Sequence, residues 1–499
     1  MKEMNGNQHR NHTIVVTAND TGFEYDIHAL VKAFYPACDV KVTAQEKGDS
    51  SDLGLPDLNI LFDKEAVLVS LSGEKEGTAF FTAKKIKTGE DLPRPEVKNR
   101  LKQLLYVLLS EYTGKQLPWG TLTGIRPTKI PMTMLEEGVL DEQILSYMKE
   151  TYFAGEEKSA LALEIAKREK ALLDTLHYED GYSLYIGIPF CPTTCLYCSF
   201  TSYPVCSWKK RVGEYLDMLD KEIDFVAQQF QGKILDTIYI GGGTPTTLEA
   251  DELERLLEKI SSTLDLSRLQ EFTVEAGRAD SITADKLKVL KKYGVGRISV
   301  NPQTMKQETL DLIGRKHTVG QVKEAFGMAR EAGFTNINMD LILGLPGEMA
   351  QDVENTIKEI MKLGPDSLTV HSLAIKRASK LSQWILDNGI STLNNTDETM
   401  QIAADGARRM GMAPYYLYRQ KNMSGNFENV GYAKEGCFGI YNILIMEEKQ
   451  SIVALGAGSI SKRVYPDGRI ERCENVKDVA SFIERIDEMI ERKRKLFED

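Results

Sequence analysis

The sequence predicts an α/β protein whose central part is a parallel sheet built from six βα units. Six strand-like runs lie between residues 183 and 371, and helical patterns separate most of them. Regular alternation of strands and helices is the pattern of a parallel sheet. Six units are too few for a closed eight-stranded barrel, so a partial, open barrel and a doubly wound sheet both fit. In either fold, the working face is formed by the carboxyl ends of the strands.

The segment before these units is predicted to be a separate, small α+β domain of unknown role. Three β-like runs, "HTIVVTA", "LNILFDKEAVLVSLSG" and "TAFFTAKKI", precede a helical stretch from about Val97 to Glu111. The stretch "PWGTLTGIRPTKIP" is rich in Gly, Pro and Thr, which indicates a structured loop or a boundary. A long amphipathic helix is expected around 155–176. We therefore expect three parts: an N-terminal domain (1–170), the βα units (171–375) and a C-terminal region that covers the substrate (376–499).

Composition excludes several classes of protein. The chain has 499 residues, is 42% hydrophobic and 27% charged, and has a formal net charge of −11. The acidic balance argues against a general nucleic-acid binder. Neither a secretory signal nor an apolar run long enough for a membrane helix is visible, so the cytoplasm is expected. In that compartment, clustered cysteines indicate metal or redox chemistry more often than disulfides.

An unusual loop or side chain follows each of the six strands. Because the carboxyl ends of parallel strands lie at one edge of the sheet, the fold would bring these groups together. In chain order they are a cysteine cluster, "GGGTPT" (241–246), Glu275 with Arg278, "NPQT" with Gln303, Asp340 followed by "LGLPGE", and His371.

The cysteine cluster has the spacing C-x3-C-x2-C and consists of Cys191, Cys195 and Cys198. A structural zinc site and an ordinary [4Fe–4S] cluster both take four protein ligands. Three thiolates would leave one iron open to a substrate or cofactor. A zinc site completed by a distant residue and three free thiols are the alternatives. The remaining cysteines are interpreted as incidental thiols: Cys38, Cys206, Cys437 and Cys473.

Together these motifs resemble the radical S-adenosylmethionine (SAM) superfamily. An aromatic residue, Tyr197, precedes the third cysteine, and "GGGTP" follows the second strand. "LYIGIPFC", "IYIGGGTPT", "VNPQT" and "MDLILGLPGE" are similar to the oxygen-independent coproporphyrinogen III oxidase family. "PWGTLTGIRPTK" and "YRQKNMSGNFENVGYA" resemble its HemZ-type members. The resemblance implies a partial (β/α)6 barrel with an N-terminal α+β domain and a C-terminal α+β region.

The resemblance also implies cofactors and site residues. One [4Fe–4S] cluster would be held by the three cysteines, and its open iron would chelate SAM. Tyr185 would lie near the sulfonium and, with the cysteines, form the catalytic centre. Close relatives hold two SAM molecules, so the number here is one or two. The implied SAM contacts are Tyr197, Gly242, Gly243, Thr244, Glu275, Gln303, Arg315, Asp340, Ala374 and Ile460.

The reaction implied is the conversion of coproporphyrinogen III to protoporphyrinogen IX without oxygen, by a 5′-deoxyadenosyl radical, in heme biosynthesis. An acidic chain needs local positive charge to hold a substrate with four carboxylates. Arg377 and Arg419 are the residues expected to supply it. The resemblance further implies an electron donor such as flavodoxin or ferredoxin, and we expect a monomer that binds neither nucleic acid nor membrane.

One residue departs from the family pattern. The best-known coproporphyrinogen oxidases carry a further cysteine two positions after the third cluster cysteine, where this chain has Phe200. The heme-chaperone branch of the superfamily also lacks that cysteine. Two alternatives to the decarboxylase therefore stay open: a radical-SAM-fold protein that delivers heme, and a radical SAM enzyme that acts on heme itself.

Overall fold

The computed structural model describes residues 13–36, 38–44, 55–75, 77–87, 92–376, 379–389, 393–420 and 427–498. These residues form two compact units. The first unit holds the described residues up to Glu164 and those within Trp384–Ile390 and Arg419–Glu428, and the second unit holds the others. The domain boundaries expected after residues 170 and 375 stay predictions. None of the helices in the described ranges has the length and apolarity that a membrane span requires.

A five-stranded sheet forms the centre of the first unit. Its strands are β1 (Thr13–Ala18), β2 (Asp39–Thr43), β3 (Asp57–Asp63), β4 (Ala66–Lys75) and β5 (Thr78–Lys87). Their order is β2-β1-β3-β4-β5, with β1 parallel to both of its neighbours and the last three strands antiparallel. Ile14, Val16 and Ala18 alternate with more exposed residues along β1, so one face of the strand is buried.

Helices cover the buried face of this sheet. The helices of this part of the chain are α1 (Glu24–Phe34), α2 (Arg94–Thr113), α3 (Lys129–Glu136), α4 (Asp141–Tyr152) and α5 (Glu156–Leu173), the last of which crosses the unit boundary. Helices α1 and α2 share one hydrophobic core with the strands. Ile27, Leu30 and Val31 follow the i, i+3, i+4 spacing that places apolar side chains on one helix face.

A buried carboxylate, Glu428, connects two distant segments within the first unit. Its Oε2 atom accepts a hydrogen bond of 2.7 Å from Trp119 Nε1, and its Oε1 atom lies 2.7 Å from Lys158 Nζ. The Lys158 and Glu428 side chains are only 10% and 1% exposed. Because a buried charge is stable only when it is paired, these contacts tie residue 428 to the N-terminal part of the chain.

An eleven-stranded sheet forms the centre of the second unit. The strands of this unit are β6 (Gly181–Ile188), β7 (Phe190–Cys191), β8 (Tyr203–Pro204), β9 (Ile234–Gly242), β10 (Glu271–Gly277), β11 (Arg297–Val300), β12 (Ile337–Leu343), β13 (Ser367–Ser372), β14 (Ala413–Tyr418), β15 (Asn429–Ala433), β16 (Ile452–Leu455), β17 (Ile460–Val464) and β18 (Ile470–Glu474). The sheet order is β14-β15-β13-β12-β11-β10-β9-β6-β16-β17-β18, and β7 pairs with β8 separately. Six strands of this sheet, β6 and β9 to β13, are parallel and follow chain order. This arrangement confirms the predicted partial (β/α)6 barrel.

The helices of the second unit follow the strands as the sequence pattern predicts. They are α6 (Val205–Trp208), α7 (Val212–Gln229), α8 (Ala250–Thr263), α9 (Ala284–Lys292), α10 (Gln307–Leu312), α11 (Val319–Glu331), α12 (Ala350–Leu363), α13 (Leu381–Asn388), α14 (Asp397–Arg409), α15 (Ile440–Glu447), α16 (Val479–Glu484) and α17 (Ile486–Phe497). Helix α8 buries Leu253, Leu256, Leu257 and Ile260, one apolar face at helical spacing. Such an apolar face packs against the interior of the unit.

The C-terminal strands extend the sheet beside the first barrel strand. Strand β16 is parallel to β6, and the turn after it begins at Gly456. Gly456 N donates a hydrogen bond of 2.7 Å to Glu222 Oε2, while Lys493 Nζ lies 2.6 Å from Glu222 Oε1. Both charged side chains are 0% exposed. Tyr215 adds a second anchor, since its hydroxyl group donates to Gly187 O and accepts from Ala457 N. These contacts fix the turn at the carboxyl end of β6.

Candidate active site

The cysteine loop is held against neighbouring loops of the barrel. Leu196 N donates a hydrogen bond of 2.9 Å to Ile313 O, and Thr193 Oγ1 donates one of 3.0 Å to Gly314 O. The loop starts at the short β7–β8 pair, directly after the first barrel strand. Its position at the carboxyl end of β6 is the one expected from the sequence.

The glycine turn after β9 approaches this loop closely. Gly242 has φ +110°, in the region that favours glycine. A side chain at Gly243 would meet Phe190 O at 2.5 Å, so only glycine fits there. Gly243 N and Thr244 N donate to Ile188 O and Phe190 O. The turn therefore lies flat against the end of β6.

Thr244 joins the glycine turn to the cysteine loop. Its side chain is 2% exposed, and its Oγ1 atom lies 3.5 Å from Cys191 Sγ. Burial raises the pKa of the Cys191 thiol to about 11, although the contact with Thr244 lowers it. Burial also raises the pKa of Cys198. Metal binding requires thiolates, so it must release these protons.

Four predicted site residues share a distinctive burial. Tyr185, Glu275, Asp340 and His371 are each the only half-buried residue of an otherwise buried barrel strand. In a closed core, every residue of such a strand would be buried. These four side chains therefore keep solvent-accessible surface on strands that are otherwise buried.

Three tyrosine rings stack on one another, and the sequence indicates only one of them, Tyr185. Tyr239 stacks on Tyr441 with 4.6 Å between ring centroids, and Tyr185 lies 6.3 and 6.1 Å from these two rings. Glu271 accepts hydrogen bonds from the backbone of Ile440 and Tyr441 and so places Tyr441. Tyr239 could have been found from its position two residues before Gly241 on the same strand face. Tyr441 carries no such signal.

Glu275 and Asp340 are acidic groups with different electrostatic environments. Burial raises the pKa of Glu275 to about 7, a hydrogen bond from Tyr239 lowers it, and the charge of Asp340 raises it. Burial also acts to raise the pKa of Asp340, but contacts with His371 and Asn338 outweigh it and lower that pKa. Asn338 Nδ2 donates to Asp340 Oδ1 at 2.7 Å. Near neutral pH, Asp340 is therefore ionised and Glu275 is close to its titration midpoint.

Gln303 adopts an uncommon backbone conformation three residues after β11. Its φ is +68°, which is rare for a residue other than glycine. Gln303 N donates to Asp340 O at 2.9 Å, and Ile342 N donates to Gln303 O at 3.0 Å. The side-chain Oε1 atom is buried without a hydrogen-bond partner. A strained residue with an unsatisfied acceptor is typical of a binding site.

Arg315 is buried next to the residue before the third cysteine. Its Nη1 atom donates to Asn301 O, and its Nη2 atom donates to Tyr197 Oη at 3.3 Å. Its Nε atom is buried without a partner. The guanidinium therefore keeps a donor for a ligand, although the SAM contacts of Arg315 and Tyr197 stay predictions.

The other predicted residues lie in varied places. Ala374 is half-buried just after β13, and Ile460 is 43% exposed at the start of β17. Arg377 lies outside the described residues. Arg419 belongs to the first unit, where it is 3% exposed and its Nη1 atom donates to Leu122 O. Its guanidinium thus serves a backbone loop, and substrate binding by either arginine stays a prediction.

The comparisons with known proteins agree with this geometry. The radical SAM superfamily matches residues 185–360. The chain is 38% identical over 489 residues to the oxygen-independent coproporphyrinogen-III oxidase-like protein HemZ of Bacillus subtilis, and the match covers 96% of each chain. The chain belongs to this HemZ family of radical SAM proteins.

Two further matches are shorter or weaker. The heme chaperone HemW of Bacillus subtilis is 42% identical over 196 residues, which are 39% of this chain and 51% of that protein. Among solved structures, coproporphyrinogen III oxidase (HemN) from Escherichia coli has a TM-score of 0.49 and 22% identity, and covers 64% of this chain and 72% of its own. The sheet topology and the superfamily match are the basis of the fold assignment.

The radical SAM family implies a [4Fe–4S] cluster and SAM, and the cysteine loop fits such a cluster. Its donors are three thiols close enough for Cys195 and Cys198 to affect the pKa of Cys191. In the described part of the chain, no group of three or more His, Cys, Asp or Glu side chains could hold a single metal ion. The thiolates of a cluster bind different irons, so they need not meet at one point.

Proposed function

We propose that this HemZ-family chain catalyses the oxygen-independent oxidative decarboxylation of coproporphyrinogen III to protoporphyrinogen IX. The observation that carries the proposal is the set of half-buried polar residues inside the barrel, beside the cysteine loop. The match to an oxidase-like relative over 96% of the chain supports it.

When bound, the cluster and SAM supply a 5′-deoxyadenosyl radical. Two propionate side chains of the substrate react. Each loses a hydrogen atom from its β-carbon, and this atom becomes part of 5′-deoxyadenosine. The resulting substrate radical then loses carbon dioxide and one electron, which leaves a vinyl group. The electron passes to a one-electron acceptor, and a donor such as flavodoxin or ferredoxin supplies the electrons for SAM cleavage. We expect the reaction in the cytoplasm, with the chain as a monomer and one or two SAM molecules bound.

The protein's contribution is to bind and orient the reactants. Cys191, Cys195 and Cys198 would ligate the cluster, and Gly242 and Gly243 would let backbone approach the methionine part of SAM. Thr244, Tyr197, Gln303 and Arg315 would make further polar contacts, and Ala374 and Ile460 would make apolar ones. Glu275 and Asp340 would accept hydrogen bonds from SAM, while the ring of Tyr185 would face the sulfonium.

Heme delivery is the second candidate function. Phe200 is 76% exposed two residues after Cys198, at the position where the best-known oxidases have a further cysteine. The HemW match, limited to 39% of this chain, favours the same alternative. A radical SAM enzyme that acts on heme itself would also be consistent with Phe200 here.

An anaerobic reaction separates these functions. Reconstituted protein is incubated with SAM, dithionite, an electron acceptor and coproporphyrinogen III, and the masses of the products are measured by mass spectrometry. The expected result is the stepwise loss of two carboxyl groups, which the Cys195→Ala variant should not show. Tight heme binding without turnover of either tetrapyrrole would support the carrier, and modified heme would support the third function.

A further inference from the structure

A buried arginine without a role in the proposed reaction lies against the cysteine loop. Arg278 follows β10 and is 3% exposed. One edge of its guanidinium is bound by Asp280, with 2.9 Å from Nε to Oδ1 and 2.6 Å from Nη2 to Oδ2. The other edge donates from Nη1 to Thr193, at 2.7 Å to Oγ1 and 3.1 Å to the carbonyl oxygen. Such a fork between two partners fixes the position of the cation.

This cation is adjacent to one of the cluster cysteines. Arg278 Nη1 lies 4.0 Å from Cys195 Sγ. Thr193, which Arg278 binds, in turn donates to Gly314 O at 3.0 Å, so the guanidinium also belongs to the contacts that hold the loop. At this distance in a buried place, a full positive charge acts strongly on the charge of the thiolate.

The negative charge that balances Arg278 is the carboxylate of Asp280, on the edge of the guanidinium opposite to the one near Cys195. Burial acts to raise the pKa of Asp280, but the contact with His317 and the hydrogen bonds from Arg278 outweigh it and lower that pKa, so the carboxylate is ionised. His317 Nδ1 is 3.7 Å from Asp280 Oδ1 and the side chain is 0% exposed. Arg278 and Asp280 therefore form an oriented pair with the positive group nearer to Cys195.

We propose that Arg278 is a positioning residue that raises the reduction potential of the cluster bound at Cys191, Cys195 and Cys198, and that Asp280 limits this effect. The proposal rests on the cluster that the proposed function requires, and not on the identity of the substrate. Reduction adds one negative charge to the cluster, and a nearby cation stabilises the reduced state more than the oxidised state. Charge and hydrogen bonds around the sulfurs are among the factors that set such potentials.

The test is a redox titration of the reconstituted full-length protein without tetrapyrrole. Iron and sulfide contents are measured first, and the midpoint potential is then followed by electron paramagnetic resonance with SAM absent. Four variants are compared with wild type: Arg278→Gln, Arg278→Lys, Asp280→Asn and, as a matched control, Arg330→Gln. Arg330 forms a similar ion pair with Asp366, 2.6 Å from Nη1 to Oδ2, on another face of the second unit.

Arg278→Gln and Asp280→Asn should shift the midpoint potential in opposite directions. Arg278→Gln should lower the midpoint potential by about 59 mV or more, which makes one-electron reduction about tenfold less favourable. Asp280→Asn should raise the potential, Arg278→Lys should stay nearer to wild type than Arg278→Gln, and Arg330→Gln should leave it unchanged. If Arg278→Gln takes up no iron, the sign for Asp280→Asn decides.

Some results would overturn the proposal. Equal potentials in wild type, Arg278→Gln and Asp280→Asn would mean that the pair only holds the loop, and shifts of the same sign would mean that loop distortion dominates. Failure of the proposed function gives a different outcome. If the protein never decarboxylates the substrate but Arg278→Gln and Asp280→Asn shift the potential in opposite directions, this inference stands and the proposed function fails. If wild-type protein takes up no iron, both the inference and the proposed function are refuted.

Discussion

The hydroxyl group of Tyr239 donates a hydrogen bond to Glu275, with 2.5 Å between Oη and Oε1. The two residues lie on the neighbouring strands β9 and β10, and Tyr239 also stacks on Tyr441. A hydrogen bond to a carboxylate stabilises its ionised form. The bond therefore opposes the effect of burial, which raises the pKa of Glu275 to about 7.

Removing this bond should change the pH dependence of SAM binding. Ionised Glu275 accepts hydrogen bonds, so SAM affinity should increase as the pH rises through about 7 in wild type. In Tyr239→Phe the pKa of Glu275 should rise further, and the midpoint of the affinity profile should move to higher pH. Calorimetric titration with SAM between about pH 6 and 9 measures it. Tyr182→Phe, on the same sheet but packed against Phe230, is the control. A midpoint that stays or moves down would refute the assignment of Glu275.

The three cysteines of the loop should be required together. Cys191→Ala, Cys195→Ala and Cys198→Ala should each abolish the cluster absorbance and SAM cleavage, because each removes one of three thiolate ligands. Cys206→Ala and Cys437→Ala should keep both. Absorbance of the reconstituted protein and chromatography of 5′-deoxyadenosine are the measurements. A cluster that survives any of the first three changes would mean that other ligands hold it.

The buried ion pair behind the Gly456 turn should be important for stability. Lys493→Met leaves Glu222 buried without its cation, which should cost about 3–5 kcal/mol of unfolding free energy. The exposed pair Arg255–Asp217 is the control, and its loss should cost less than about 1 kcal/mol. Adding Glu222→Gln to Lys493→Met should restore part of the stability. Denaturant unfolding measures the unfolding free energy of wild type, Lys493→Met, the double variant and the control that lacks the Arg255–Asp217 pair. Equal losses at the two pairs would contradict the expectation.

The sequence predicted the local parts of the site better than the distant ones. The cysteine spacing and the glycine turn are short motifs, and the strand ends that carry Glu275 and Asp340 follow from alternation of strands and helices. Tyr441 comes from a helix more than two hundred residues after Tyr185, so only the folded chain brings the two rings together. Their SAM contacts remain predictions.

Arg419 illustrates a different limit of the sequence. Its place after the barrel strands predicted a role over the substrate, but the fold groups Arg419 and Glu428 with the N-terminal part of the chain. No local sequence pattern indicates that this segment packs with the N-terminal part of the chain. The packing depends on pairing a buried cation or carboxylate with partners far away along the chain. The half-buried positions on the strands were likewise invisible until the packing of the interior was known.

The N-terminal part of the chain, residues 1–171, should be dispensable for the cluster chemistry. A fragment that starts at Leu172 keeps all six barrel strands and should assemble the cluster and cleave SAM, with poorer turnover of the tetrapyrrole. A folded fragment that takes up iron but does not bind SAM would show that residues 1–171 complete the site. Iron content and SAM calorimetry decide between these outcomes.

The same fragment offers a test of Glu428. In the full chain, Glu428→Gln leaves the buried Lys158 without its anion and should cost about 3–5 kcal/mol. In the fragment, which lacks Lys158 and Trp119, the substitution should cost almost nothing. Calorimetric unfolding of the four proteins compares the two differences. Equal effects would mean that residue 428 acts independently of Trp119 and Lys158.

Arg377 should contribute to substrate capture. A charge-assisted pair with one propionate is worth roughly 1.5–3 kcal/mol, so Arg377→Ala should raise the tetrapyrrole concentration needed for turnover by about ten- to a hundred-fold. Uncoupled SAM cleavage should stay near wild type. Arg419→Ala, which loses the contact with Leu122 O, should instead be less stable to heat. Normal turnover in Arg377→Ala would make that residue a surface charge only.

The pairing of β16 with β6 affects how the chain is made on the ribosome. Ile452 and Ser183 are register partners, although about 270 residues separate them. At roughly 5–20 residues per second, the nascent chain exposes the open edge of β6 for roughly 15–55 s before its partner is synthesised. An unpaired strand edge is a site of aggregation, so this interval is the period when the chain is most exposed to misassembly. The turn at Gly456 is fixed only at the end of this interval. The carboxyl end of the barrel at β6 is therefore completed late in biosynthesis.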